Sequence, residues 1–219
     1  MKSGFHRAPH FFDVEKLLAE LNLNGNLKFD DYNDFLVQED SAIYELIKFH
    51  QKTYALALPD DTARVEKKYR QYSFSTIKSS PANIEILKRR ESLLFEMENV
   101  TLIENRVGPY LKEILSKLPP ALGRIRLAVM LPHSNIQPHV DHGARSLMRL
   151  HLPLITNKEC QFFQKAGSHI HARHLPADGS LFTFNVGRRH WVNNESSAAR
   201  LHLIIDCFDL SQWSNFEVF

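Results

Sequence analysis

The 219 residues carry 27 lysines and arginines against 25 aspartates and glutamates, with 43% hydrophobic and 24% charged residues, ordinary values for one sizeable soluble globular domain or two small ones. A formal net charge of +2 is too small to argue for nucleic acid, and the basic doublets Lys67-Lys68, Arg89-Arg90 and Arg188-Arg189 read as solvated surface. Cys160 and Cys207 make neither a disulfide framework nor a Cys-x-x-Cys pair, no apolar run follows the N-terminal residues, and no stretch has transmembrane length; a cytoplasmic protein without signal peptide or membrane partner is the expectation.

Residues 1–120 read as a mainly helical region. Behind Asp13, a capping candidate, Val14, Leu17, Leu18 and Leu21 recur at helical spacing. Ser41 precedes Ile43, Leu46, Ile47 and His50 on one helical face that continues toward Tyr54, and Ser80-Pro81 opens a helix through Ile84, Leu87, Arg90 and Leu94. Val107, Leu111, Ile114, Leu115 and Leu118 form a further stripe, stopped by Pro119-Pro120. His6, His10 and His50 have no second ligand at a workable spacing and read as surface or core histidines.

From 121 to 219 the period changes from helical to alternating. Ile125, Leu127, Val129 and Leu131 alternate with polar or smaller neighbours, as do Met148, Leu150, Leu152 and Leu154, and then Leu201, Leu203 and Ile205. Shorter candidates lie at 136–139, 161–164, 169–174, 180–184 and 190–192, separated by turn signals such as Asp178-Gly179, Gly187 and Asn193-Asn194. Eight short strands in this space predict a small antiparallel barrel or sandwich onto which the helices pack, an α+β chain.

Within that half, His139-Val140-Asp141 spaces an imidazole and a carboxylate two residues apart, so extended backbone presents both to one side. A third histidine from a distant strand would complete two histidines and one carboxylate around a single iron ion, with coordination positions left open. His190 is preferred for that place because it follows a Gly-bounded strand and enters another. The cluster His169, His171 and His174 ranks below it and reads better as an exposed polar strand face. Arg149 and His151 share a strand face, and Arg200 follows ten residues after His190. Arginines facing the inside of a barrel need an anionic partner, which a dicarboxylate supplies and grips bidentately; pairing to protein carboxylates is the blander reading.

Four blocks together resemble a known family: Pro138-His139-x-Asp141; Arg149-Leu150-His151-Leu152-Pro153-Leu154; Gly179-x-Leu181-x-x-Phe184-Asn185 leading to His190; and Arg200-Leu201-His202-Leu203-Ile204-Ile205-Asp206. In order and spacing they are similar to the aspartyl/asparaginyl β-hydroxylases, over roughly 124–208. The resemblance implies a double-stranded β-helix (jelly roll, cupin-like) with Fe(II) and the co-substrate 2-oxoglutarate. It implies His139 and His190 as catalytic metal ligands, joined by Asp141 where the triad is full, and Arg149, His151 and Arg200 as holders of the 2-oxoglutarate carboxylates. The branch acting on protein Asp and Asn side chains has glycine where this chain has Asp141, so the chain looks closer to the full-triad branch that includes proline cis-4-hydroxylases. That protein-acting branch also has a serine where Ala128 aligns here, leaving one co-substrate contact unmatched.

The activity implied is hydroxylation of an unactivated C–H bond with dioxygen, releasing succinate and CO2. A free amino acid or a small amino-acid-derived metabolite is the first choice of substrate, with His142, Arg145, Arg188 and Trp191 as residues placed to read it. The alternatives are a hydroxylase of protein or peptide side chains, and a non-catalytic cupin-like protein that binds metal or a small acid. Retention of Asp141 argues against a halogenase, which needs that coordination site free.

Overall fold

The computed structural model describes residues 4–23, 51–59, 100–102, 104–119, 122–141, 148–207 and 217–219. In chain order these form β1 (Phe5–Phe11), α1 (Val14–Leu23), β2 (Gln51–Ala55), β3 (Ala57–Pro59), β4 (Val100–Leu102), a short 3-10 turn and α2 (Pro109–Ser116). Eight strands follow: β5 (Leu122–Met130), β6 (Ser134–His139), β7 (Met148–Ile155), β8 (Cys160–Ala166), β9 (His169–Arg173), β10 (Ser180–Phe184), β11 (His190–Asn194) and β12 (Arg200–Cys207). β13 (Glu217–Val218) is last.

Each of the eight segments that alternation predicts is a strand. They are dealt between two sheets, β10-β7-β12-β5 in the larger and β6-β11-β8-β9 in the smaller, with every pairing antiparallel. Successive strands cross from one sheet to the other except at the β8–β9 hairpin, and that order makes a jelly roll. Three more strands extend the larger sheet to the order β13-β1-β10-β7-β12-β5-β2.

The helical reading of residues 1–120 needs correction. β1 lies between β13 and β10, and β2 forms the far edge of the same sheet on β5, so this region contributes strands to the barrel as well as helices. The face read from Ser41 toward Tyr54 ends in β2 rather than in helix; the rest of it, and the helix expected after Ser80-Pro81, lie outside the described residues.

Two expected helices are present. The Lys16 N–H donates to Asp13 Oδ1 at 2.9 Å, the N-cap that opens α1. α2 begins with proline in its first turn, where no hydrogen bond is lost. Its free N–H groups on Tyr110 and Leu111 donate to the Glu20 carboxylate of α1 at 2.6 and 3.0 Å, placing an anion at a helix N-terminus and tying the helices together.

The strand period sorts side chains into two clusters. Leu150, Leu152, Leu203, Ile205, Ile125 and Leu127 leave the larger sheet on its outer side and pack with Leu17, Leu111 and Ile114 of the helices; a side chain of this kind contributes about 1.5–3 kcal/mol when fully buried. Phe5, Met130, Cys160, Phe162, Phe182, Phe184 and Val192 form the second cluster, in the jelly-roll interior. On β12 the alternate positions Arg200, His202 and Asp206 are also buried, on the face opposite the aliphatic set. The outer side of this sheet is therefore aliphatic, and its inner side carries charge.

Candidate metal centre

β11 pairs with β6 so that His190 lies directly opposite His139, and their rings stand 4.2 Å apart between centroids. Asp141 lies two residues beyond the end of β6, its N–H donating to the Val186 carbonyl at 2.9 Å. One ligand atom from each of His139, Asp141 and His190 lies within 4.8 Å of the other two, and His139 Nε2 is 3.5 Å from Asp141 Oδ1.

Both rings are oriented from behind. His139 Nδ1 lies 2.7 Å from the Gln137 carbonyl, and His190 Nδ1 2.9 Å from the Arg188 carbonyl. A carbonyl only accepts, so each Nδ1 carries a proton and Nε2 is the ring nitrogen left to face a metal, the arrangement metal-binding histidines need. Burial pushes His190 down to about 4, with Asp141 opposing, so its ring is neutral near neutral pH. Burial alone would raise the Asp141 carboxyl, but Arg149, with His190 and His139 behind it, outweighs that and holds it below the ordinary carboxylate value. Two imidazoles and an ionised carboxylate suit a divalent first-row metal with positions to spare.

Arg149 lies between two carboxylates. Its Nη1 donates to Asp141 Oδ2, and its Nε and Nη2 donate to Asp206 at 2.8 and 3.4 Å. Three of its five N–H donors are engaged, leaving one on each terminal nitrogen. Asp206 is 1% exposed and also takes Arg124 Nε and Nη2, each at 2.9 Å, with Arg126 at 3.5 Å. Burial would raise the Asp206 carboxyl, yet these arginines, Arg149 first, hold it far below the usual range.

Arg200, His151 and His202 are differently placed. All are buried, and the Nε and Nη1 of Arg200 and both ring nitrogens of each histidine have no hydrogen-bond partner. His151 stacks on Phe184, His202 on Phe162, and the Arg200 guanidinium lies 5.2 Å from the Phe162 ring centre. Burial, then the charge of Arg200, keeps both histidines well below their ordinary pKa. Buried donors left this way are costly unless a ligand meets them, and an anionic group is the chemistry that would satisfy the Arg200 guanidinium. Ala128 is fully buried directly opposite His202 across the β5–β12 pairing.

The fold thus brings His139, Asp141 and His190 together, seats His151 and Arg200 in the interior, and ties Arg149 to protein carboxylates. His169, His171 and His174 join no such group among the described residues; His169 is exposed on β9 and the other two are half-buried. Trp191 stacks on Phe163, ring centres 5.2 Å apart, on the face of β11 opposite His190. Arg188 is exposed and serves His190 through its carbonyl; His142 and Arg145 lie outside the described residues. Asp206 and His202 escaped the sequence reading as site residues, although their alternation with Leu201, Leu203 and Ile205 marks them as facing the side of Arg200.

No curated protein matches the chain in sequence. Among solved structures it is similar to an oxidoreductase of the 2OG-Fe(II) oxygenase family from Burkholderia pseudomallei, at 18% identity over 50% of this chain with TM-score 0.40. The chain spans only 62% of that protein's length. It is also similar to a Pseudomonas putida prolyl-4-hydroxylase, at 13% identity over 94% of this chain and 93% of that one, TM-score 0.45. A cupin domain from Bordetella pertussis aligns at 15% identity over 38% of this chain and 79% of the domain, TM-score 0.30. These likenesses are remote, and family membership rests on sequence instead. Residues 90–209, more than half of the 219, match the model of the aspartyl/asparaginyl beta-hydroxylases. The chain belongs to that family, one of hydroxylases that work with Fe(II) and 2-oxoglutarate.

Proposed function

We propose that this protein is a dioxygenase that hydroxylates an unactivated C–H bond of a free amino acid or a small amino-acid-derived metabolite. The observation that carries the reading is the convergence of His139, Asp141 and His190 in a jelly roll whose buried Arg200, His151 and His202 offer donors that no protein group takes. His139, Asp141 and His190 would hold the iron. When bound, Fe(II) supplies open positions for co-substrate and dioxygen, and the oxidation that converts 2-oxoglutarate and O2 to succinate and CO2 with one oxygen atom delivered to the substrate C–H.

The chain's own part is binding, orientation and exclusion of water. Arg200 takes a co-substrate carboxylate through its fork, with His151 and His202 donating beside it, and Arg149 has an N–H left on each terminal nitrogen with which to meet a second. Phe162, Phe184 and Val192 line the same interior and keep it dry, which strengthens each of these polar contacts. The substrate class follows the presence of Asp141, which sets the chain apart from relatives with glycine there. Both cysteines are free and buried, which suits a reducing, cytoplasmic compartment. Among the described residues no helix is long and apolar enough to cross a membrane.

The test is anaerobic addition of Fe(II) and 2-oxoglutarate to the purified protein. A weak visible charge-transfer band is expected, and its absence would remove the reading. Succinate release is then measured against a panel of free amino acids and a panel of peptides. Release with peptides alone would move the substrate to a protein side chain, and metal binding without any 2-oxoglutarate turnover would leave a cupin-like binding protein.

A further inference from the structure

We propose that Arg149 and Asp206 act as a clamp that restricts Asp141 to one-oxygen coordination of the metal, with Arg149 as the positioning residue and Asp206 as its anchor. The inference rests on the metal reading above and assigns the two residues a role outside co-substrate binding.

A carboxylate can meet a cation through one oxygen or both, and a short side chain just beyond a strand end has little of its own to choose between them. Here the choice is made by division of the two oxygens. Oδ2 of Asp141 accepts from Arg149 Nη1, while Oδ1 is the atom 3.5 Å from His139 Nε2. The oxygen nearest His139 is therefore not the one that Arg149 holds.

Arg149 would be a poor clamp if its own guanidinium could wander, since a long side chain carries about 2 kcal/mol of rotamer entropy. Cross-strand register removes that freedom. Arg149 on β7 lies opposite Asp206 on β12, and Asp206 takes both its Nε and its Nη2. Asp206 is itself fixed by Arg124, with Arg126 close by. The sequence of contacts runs from the middle of the larger sheet to the metal ligand, and each side chain presents one edge to the next. A cluster that merely balanced buried charge would not need to leave Asp141 Oδ1 clear.

The experiment measures Co(II) binding to the whole protein by titration, with its visible spectrum as a report on coordination, for wild type, Arg149→Met, Arg149→Lys, Asp206→Asn and the double variant R149M/D206N. Circular dichroism confirms folding. Arg149→Met leaves Asp206 paired with Arg124 and close to Arg126, so it is expected to fold. It should bind Co(II) about 10- to 100-fold more weakly, with an altered spectrum. Asp206→Asn should shift affinity and spectrum in the same direction by less, and the double variant should bind no more weakly than Arg149→Met, because the anchor acts only through the arginine. Arg149→Lys keeps the charge and loses the fork, so it should recover affinity only in part.

Wild-type affinity and spectrum in Arg149→Met would overturn the clamp, as would fully additive losses in the double variant or full recovery in Arg149→Lys. Should Asp206→Asn not fold, the Met and Lys variants decide alone. A wild-type protein that binds no Co(II) would instead bring down the metal reading, and the clamp with it.

Discussion

Replacing Arg200 by methionine separates stability from function. The guanidinium is 1% exposed, two of its nitrogens have no hydrogen-bond partner, and its company is the Phe162 ring and the Cys160 thiol. Burial pulls its pKa below the ordinary value, with Cys160 opposing. Exchange of a buried ionic group for a well-packed apolar one is neutral or stabilising by about 1–4 kcal/mol, and methionine is an unbranched apolar chain that adapts to the space beside Phe162. For a chain of this size each kcal/mol moves the midpoint by about 2–4 °C, so the ligand-free variant should melt no lower than wild type and up to roughly 16 °C above it. The same change removes one partner of a buried charge pair with 2-oxoglutarate, worth about 2–5 kcal/mol, or roughly 30- to 4000-fold in affinity. Anaerobic thermal unfolding with Fe(II), with and without 2-oxoglutarate, reads both effects: the co-substrate should raise the wild-type midpoint and leave the variant's unchanged. A variant that melts below wild type, or that 2-oxoglutarate stabilises equally, would refute the reasoning.

Further expectations concern the rest of the framework. Asp141→Gly should abolish succinate formation, and retained turnover would show that the carboxylate is not a required ligand. His151 and His202 are neutral when folded, with pKa values well below the ordinary 6.5, so the unfolded chain takes up their protons first as pH falls. Their share of stability is complete above 6.5 and declines below it, by about 1.4 kcal/mol per histidine between about pH 7.5 and about pH 5.5. Urea unfolding of the metal-free protein at those two values should show the loss, and His202→Leu should reduce it. Gly179 has φ +86 and a Cβ there would lie 2.2 Å from the Phe12 carbonyl oxygen, whereas Gly167, at φ +64, has open space around it. Gly167→Ala should cost about 1–2 kcal/mol for its backbone alone, and Gly179→Ala clearly more, as measured by denaturant midpoint.

The jelly roll was legible because its strands separate two environments, and alternation records that separation directly. The triad was legible because two residues sit within one short motif and the third opens a strand of its own. β1 was hidden by Pro9, a residue that argues against a strand; it lies where the β1–β10 register shifts between Arg7 and Phe11, an irregularity in which proline is tolerated. β2 followed a helical pattern in the sequence and, among the described residues, is an edge strand bonded only to β5, so its place is set by a partner some seventy residues away. Asp206 stands in the sequence only as the last residue of the block that begins at Arg200. Its importance comes from Arg124, Arg126 and Arg149 meeting at one point, which depends on register between three strands and not on spacing along any one of them.

The place of β1 bears on how the molecule is made. Residues 5–11 lie inside the larger sheet, between β10 at 180–184 and β13 at 217–218. β1 must wait through more than 160 further residues of synthesis before either neighbour exists, while β5, β7 and β12 can pair over much shorter separations. Contacts of such long sequence separation form slowly, and until they do the β10 edge of the sheet stands open to other chains. Closure by β1 therefore ends the interval in which the nascent protein is most exposed to aggregation.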